Sequence, residues 1–399
     1  TLGEVMQATK NTLSSVYKLG FCLIGDPAVK MAYPEFGMKV TTVNGQSVDG
    51  NSISFKALEK ITVEGEVLDA SGQLVTDFTG IVNPTVKDSK VTVTCLKNSN
   101  KDDSPAFTFT DYPNTIFIGN DSVRNGKFSF TFTVPKDISY SNLQGKMNLY
   151  AVDTENGHEA QGNFDNFIVG GTSDTAETDT IGPEIRALYL NDTTFVDGGQ
   201  VNTTPYFVAE LWDKSGVNIT GSSVGHDMML VIDESTVLSY NLNSYYELLP
   251  GEEGTGIVKF PIPALEPGKH TAEFWVWDIL NNSTVRTFTF EVVEGLKPFL
   301  FDVIATPGIA REQVTFHLMH NRPESRMRVG IMVYDLAGRQ LWKHEESGTS
   351  GLFENYTVSW DLTSGGARMR PGVYIYRAAI STDNSKDATK ARKFIILGE

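Results

Sequence analysis

A chain of 399 residues, at roughly 150 per domain, is expected to fold as two to four domains rather than around one core. Apolar residues at 40% and charged residues at 21% are ordinary globular usage, which argues against disordered, collagen-like and coiled-coil classes. A net charge of −16 repels a polyphosphate backbone, so no nucleic acid is expected as partner, and no run approaches the ~18–20 apolar residues of a direct membrane span.

The charge is uneven. Residues 296–399 carry 14 basic and 11 acidic side chains, a surplus of +3, whereas the 19 basic and 38 acidic side chains of residues 1–295 leave −19. Leu2, Val5, Met6, Leu13, Val16 and Tyr17 fall at helical spacing and predict a helix over 2–17, ended by Gly20. Phe21-Cys22-Leu23-Ile24 then reads as a buried strand before a Gly25-Asp26-Pro27 turn. A lone helix and strand cannot stand as a domain, so residues 1–33 read as the trailing edge of an α/β domain lying before Thr1.

After Pro34 short β-branched and aromatic runs alternate with polar residues, as in 61–67, 91–96 and 128–134, where Phe128, Phe130, Phe132 and Val134 share one face. Residues 34–170 are expected to form a β-sandwich, and the small acidic stretch 170–180 a linker or crossing loop. Six strands are predicted between 184 and 292, an immunoglobulin-like sandwich over 171–295. Seven more, with hairpin turns at Leu336-Ala337-Gly338 and Gly365-Gly366, make a further sandwich of 296–399. The predicted fold class is therefore mainly β: three tandem antiparallel sandwich modules behind a short α/β piece.

Candidate chemistry is sparse. Cys22 and Cys95 belong to no CxxC pair or metal-spaced cluster, and both read as small hydrophobes in strands rather than nucleophiles. His317 and His320 fall on a strand, where i and i+3 point to opposite faces and cannot share a zinc ion. His226-Asp227 and His270 read as edge or loop polar groups. The turns at Asp213-Lys214-Ser215-Gly216 and Asp278-Ile279-Leu280-Asn281-Asn282 offer oxygens that suit calcium, yet Asp, Asn and Gly are also what turns require. Trp275 and Trp277 alternate with Phe274 and Val276 as a central core strand does. No catalytic, cofactor-binding or metal residue is assigned, and no cofactor.

Several phrases nevertheless resemble a known family. The helix from Thr1 and the run Phe21 to Ala28 are similar to the end of gingipain-type cysteine peptidase domains. Gly182-Pro183-Glu184-Ile185, Tyr189-Leu190-Asn191-Asp192, Asp213 to Asn218, Gly225-His226-Asp227, Gly268-Lys269-His270 and Trp277-Asp278 resemble, in order, the region after that domain in the PorU-type sortases of the type IX secretion system. Val333 to Arg339, Trp360-Asp361, Pro371 to Arg377 and Lys393 to Leu397 are similar to C-terminal sorting domains and to FlgD-like modules. The resemblance implies a cell-surface, outer-membrane-associated enzyme of Bacteroidetes-type bacteria. Such an enzyme cleaves sorting domains from secreted cargo and joins the cargo to anionic lipopolysaccharide through a His–Cys pair. That pair would lie upstream of the Gly25-Asp26-Pro27 turn, so this stretch is expected to be an inert scaffold. Its implied partners are secreted cargo with sorting domains and an outer-membrane β-barrel protein of the PorV type, contacted by residues 296–399. The rival reading is a non-enzymatic surface binding protein, or cargo using the same tail.

Overall fold

Period-two alternation becomes strand pairing nearly everywhere in the computed structural model, which describes residues 1–31, 33–96, 105–174, 179–221, 225–249, 254–382 and 384–398. Contacts divide the chain into two units, Thr1–Val134 with Ser139–Asp174, and Pro135–Ile138 with Thr175–Glu399.

The first unit opens with the helix Leu2–Thr12, started by a capping box in which Thr1 Oγ1 accepts the Glu4 amide and the Glu4 carboxylate takes the Thr1 amine at 2.7 Å. It stops short of the predicted Tyr17. The segment Thr12-Leu13-Ser14-Ser15 supplies hydroxyls that compete for the backbone: Thr12 donates to the Thr9 carbonyl, and Ser15 caps a separate 3₁₀ turn, Val16–Gly20. The expected strand at Phe21–Ile24 does not form. No ladder partner pairs with it among the described residues, and Ile24 is 96% exposed.

The large sheet of this unit runs through Lys146–Asp153, Glu159–Phe164, Phe36–Val43, Lys60–Leu68, Lys127–Thr133, Asp121–Arg124 and Gly80–Lys87. The last of these pairs back onto Lys146–Asp153 over eight residues, so the ladder closes on itself. Phe128, Phe130, Phe132 and Val134 are buried as their alternation predicts, and Phe117 stacks on Phe132 at 4.7 Å. A three-stranded sheet, Leu143–Gln144, Phe167–Thr172 and Ile53–Ala57, adds Phe55 against Phe167 at 4.2 Å. Gly170 to Thr172 thus finish a strand rather than begin a linker, because the parallel pairing with Ile53–Ala57 extends to Thr172; residues 175–178 of the expected linker lie outside the described residues.

The second unit holds two pairs of sheets. In the first, Glu184–Leu190, Tyr206–Trp212, Thr255–Pro261 and Tyr246–Leu248 form one layer. Gln200–Val201, Ser283–Val292, Gly268–Trp277, Met229–Ile232 and Ser239–Asn241 form the other. Phe207, Phe274, Phe288 and Phe290 fill the space between. Gly268–Trp277 is an interior strand whose core side is Ala272, Phe274 and Val276; Trp275 and Trp277 are half-buried on the other side rather than core.

In the second pair, Leu300–Thr306, Val314–His320 and Tyr356–Trp360 face Ile309–Ala310, Ala388–Ile396, Gly372–Ser381, Met327–Tyr334 and Gln340–Gly348. Phe316, Tyr376 and Phe394 cluster there, Trp342 stacks on Trp360 at 4.4 Å, and the buried Tyr376 hydroxyl donates to the Val303 carbonyl at 3.0 Å. Arg322, 1% exposed, donates to the carbonyls of Asn321, Leu296 and Lys297 and to Asn321 Oδ1.

Candidate functional site

Strand ends bring three aspartates of the second unit together. Asp213 follows the strand Tyr206–Trp212, and its Oδ1 accepts the amides of Ser215 and Gly216 at 2.8 Å each. Gly216 holds φ +111°, a conformation that favours glycine. Asp278 follows Gly268–Trp277; its Oδ1 accepts the amides of Leu280 and Asn282, and its Oδ2 takes the Asn282 amide group at 2.6 Å. These two turns are laced by Ile279 N–H to the Gly216 carbonyl and Asn218 N–H to the Trp277 carbonyl. Asp179 joins them through Ser215, whose hydroxyl donates to its Oδ2 at 2.6 Å, and through Asn282, whose amide group donates to its carbonyl. One carboxylate oxygen from each aspartate lies within 4.8 Å of the other two.

Electrostatics follow from this crowding. Burial pushes Asp213 up to about 6, with the Asp278 and Asp179 carboxylates adding to the shift against the pull of its two amide bonds. Asp278 is also raised, by burial first and then by Asp179. Asp179 is lowered, chiefly by the Ser215 hydroxyl and the Ile181 amide. A shared proton or a hard cation relieves the mutual repulsion, and an oxygen-only donor set is the kind that calcium takes.

The sequence reading placed Asp213 and Asp278 in two turns of one sandwich, and the structure brings them into one cluster. Asp179 escaped it, sitting in a stretch read as linker. A second group was missed as well: Asp137, 9% exposed, accepts from Asn281 Nδ2 at 2.8 Å and Asn218 Nδ2 at 3.4 Å and pairs with His226 Nδ1 at 2.6 Å, while the His226 ring leans on Trp277 at 4.5 Å. Nothing around Asp137 in the chain marks it, since its partners lie 81 to 144 positions away.

The other expected residues are scattered. His270 is held by Asp233 at 2.7 Å and by the Glu266 carbonyl at 2.8 Å, and Asp227 accepts from Asn243. His320 Nε2 meets the Ser350 hydroxyl at 2.8 Å, and its ring is lowered to about 4 by burial and by Arg322, so it stays neutral. Cys22 and Cys95 are both exposed, not buried strand hydrophobes: the strand around Cys22 is absent, and Cys95 lies just past the end of Val91–Thr94. Of the six histidines, His158, His226, His270 and His344 face carboxylates and His320 faces a hydroxyl. No cysteine–histidine pair forms among the described residues.

No protein-family model matches the sequence, and no curated protein matches it. Among solved structures, dimeric latent PorU from Porphyromonas gingivalis is 37% identical across 100% of this chain, with a TM-score of 0.42. The chain has a PorU-like relationship. It rests on residue identity along the full length, and the chain spans 38% of that PorU. The N-terminal Ig1-2 module of Drosophila receptor protein tyrosine phosphatase DLAR shares 10% identity at a TM-score of 0.22, covering 55% of this chain and all of its own. A tetra-tandem repeat from the extending region of a large adhesion protein shares 14% at 0.19, covering 92% of this chain and 74% of its own.

Proposed function

We propose that this chain is the C-terminal, non-catalytic region of a cell-surface sortase of the type IX secretion system, working as scaffold and anchor for a gingipain-type cysteine peptidase domain. The observation that carries the reading is 37% identity with PorU over the full length of the chain. In this reading the whole protein cleaves sorting domains from cargo and links cargo to anionic lipopolysaccharide. The residues described here supply rigid β layers and loops rather than the thiolate and imidazole. Residues 296–399, with their reversed charge, hold the protein to an outer-membrane β-barrel of the PorV type.

Deleting this region from the chromosomal gene is expected to leave cargo at the surface with sorting domains uncleaved; normally processed cargo overturns the proposal. Capture of the barrel by the whole chain, and its loss on removing residues 296–399, tests the anchoring role separately. Equal capture by both assigns the contact elsewhere.

A further inference from the structure

The five-stranded sheet of the C-terminal sheet pair is apolar on both sides at one end. Its inner side there is buried Ala310, Tyr374, Phe394 and Ile396. On the outer side Ile309, Ile395 and Val373 stand in register across three strands, at 55%, 36% and 41% exposure, and Leu397 follows on the same side at 38%. A sheet with one wet side ordinarily places polar residues at such positions.

Cations surround this stripe. Arg311 donates to the Gly398 carbonyl at 3.0 Å, Arg368 donates to the Arg311 carbonyl, Arg370 is exposed two residues before the strand Gly372–Ser381, and Lys393 lies one row along in register with Ile375. Across 309–313, 367–373 and 393–399 there are four basic residues and two acidic ones, Glu312 and Glu399.

We propose that this end of the sheet docks on an anionic lipid surface, the aliphatic stripe entering the headgroup boundary and the arginines and lysine meeting phosphates. Aliphatic side chains beside cations are the composition of an interfacial membrane contact. A two-fold contact with a second copy would set the same ring of arginines against itself. The proposal borrows its cell-surface setting from the proposed function, but vesicle binding is measured on this chain alone. Its failure therefore leaves the sortase reading standing, and the converse holds.

The test is co-sedimentation of the whole chain with phosphatidylcholine vesicles, with and without about 30% phosphatidylglycerol. Binding is expected only to the anionic vesicles, falling as salt rises. Arg311→Gln and Arg370→Gln are each expected to weaken it about fivefold. Ile395→Ser and Ile309→Ser should weaken it while the circular dichroism spectrum and melting temperature stay unchanged, and Lys39→Gln, in the other unit, should leave it intact. Equal binding to neutral vesicles, no binding, or binding indifferent to these variants overturns the proposal. So does a dimer in light scattering that Ile395→Ser dissolves, which makes a second copy the occupant. Arginine-dependent binding of polyglutamate without vesicle binding likewise overturns it, in favour of an acidic protein.

Discussion

Two side chains of the second unit give stability opposite dependences on pH. Asp213, raised to about 6, binds a proton more tightly folded than unfolded; its contribution is full below the unfolded value near 4 and is lost as pH rises through 6. His320, lowered to about 4, does the reverse: the unfolded chain takes up the proton first, and stability falls as pH drops from about 6.5 towards 4. Each is worth at most about 3 kcal/mol. Denaturant titrations between pH 4 and 7 should therefore show a shallow profile for the parent protein. Asp213→Asn, which keeps an oxygen for the two amides, should be more stable at pH 7 and should expose the histidine's acid-side loss; an unchanged profile contradicts this account. Millimolar calcium separates the two ways of relieving the repulsion. A rise in melting temperature that Asp213→Asn abolishes marks a cation site, and no shift leaves a proton-sharing turn cluster. Asp213 and Asp278 were legible because each sits where a strand signal yields to turn residues. Asp179 and Asp137 were not, since what they meet is decided by how distant segments cross.

Strands were the most legible elements, and the reasons show at particular positions. Phe128 to Val134 carries its own period and needs no distant information, so its inner side could be read directly. Phe21–Ile24 has the right residues for a strand but no neighbour to pair with, and a single run cannot report that lack. Short pieces such as Gln200–Val201 and Ser239–Asn241 leave no period at all. Glycines within strands were likewise opaque. A methyl at Gly80 would sit 1.8 Å from the Val152 carbonyl oxygen, and one at Gly65 2.2 Å from the Phe128 ring. Gly80→Ala should destabilise the first unit by about 1–3 kcal/mol in thermal or denaturant unfolding; a neutral result would show that the ladder yields there. In the last sheet of the second unit, Tyr376→Phe strands the Val303 carbonyl in the core and should cost about 1–3 kcal/mol.

Across the whole chain, the sequence shows a mainly β protein with a change of charge near residue 296, whereas the details of how the termini of each layer are tied come only from the structure. Arg322 is the clearest case. Its guanidinium is buried on the carbonyls of Leu296 and Lys297, so the C-terminal sheets depend on residues that precede their first strand, Leu300–Thr306. A fragment beginning at Leu296 should accordingly melt well above one beginning at Phe299, which leaves that charge short of acceptors at a cost of about 3 kcal/mol; equal melting would show that water replaces them. The first unit has a different property. Because Gly80–Lys87 returns to Lys146–Asp153, that stretch of backbone has spent its donors and acceptors within the molecule. A foreign polypeptide finds no unsatisfied rim on that closed ladder to zip onto, which guards it against fibre growth.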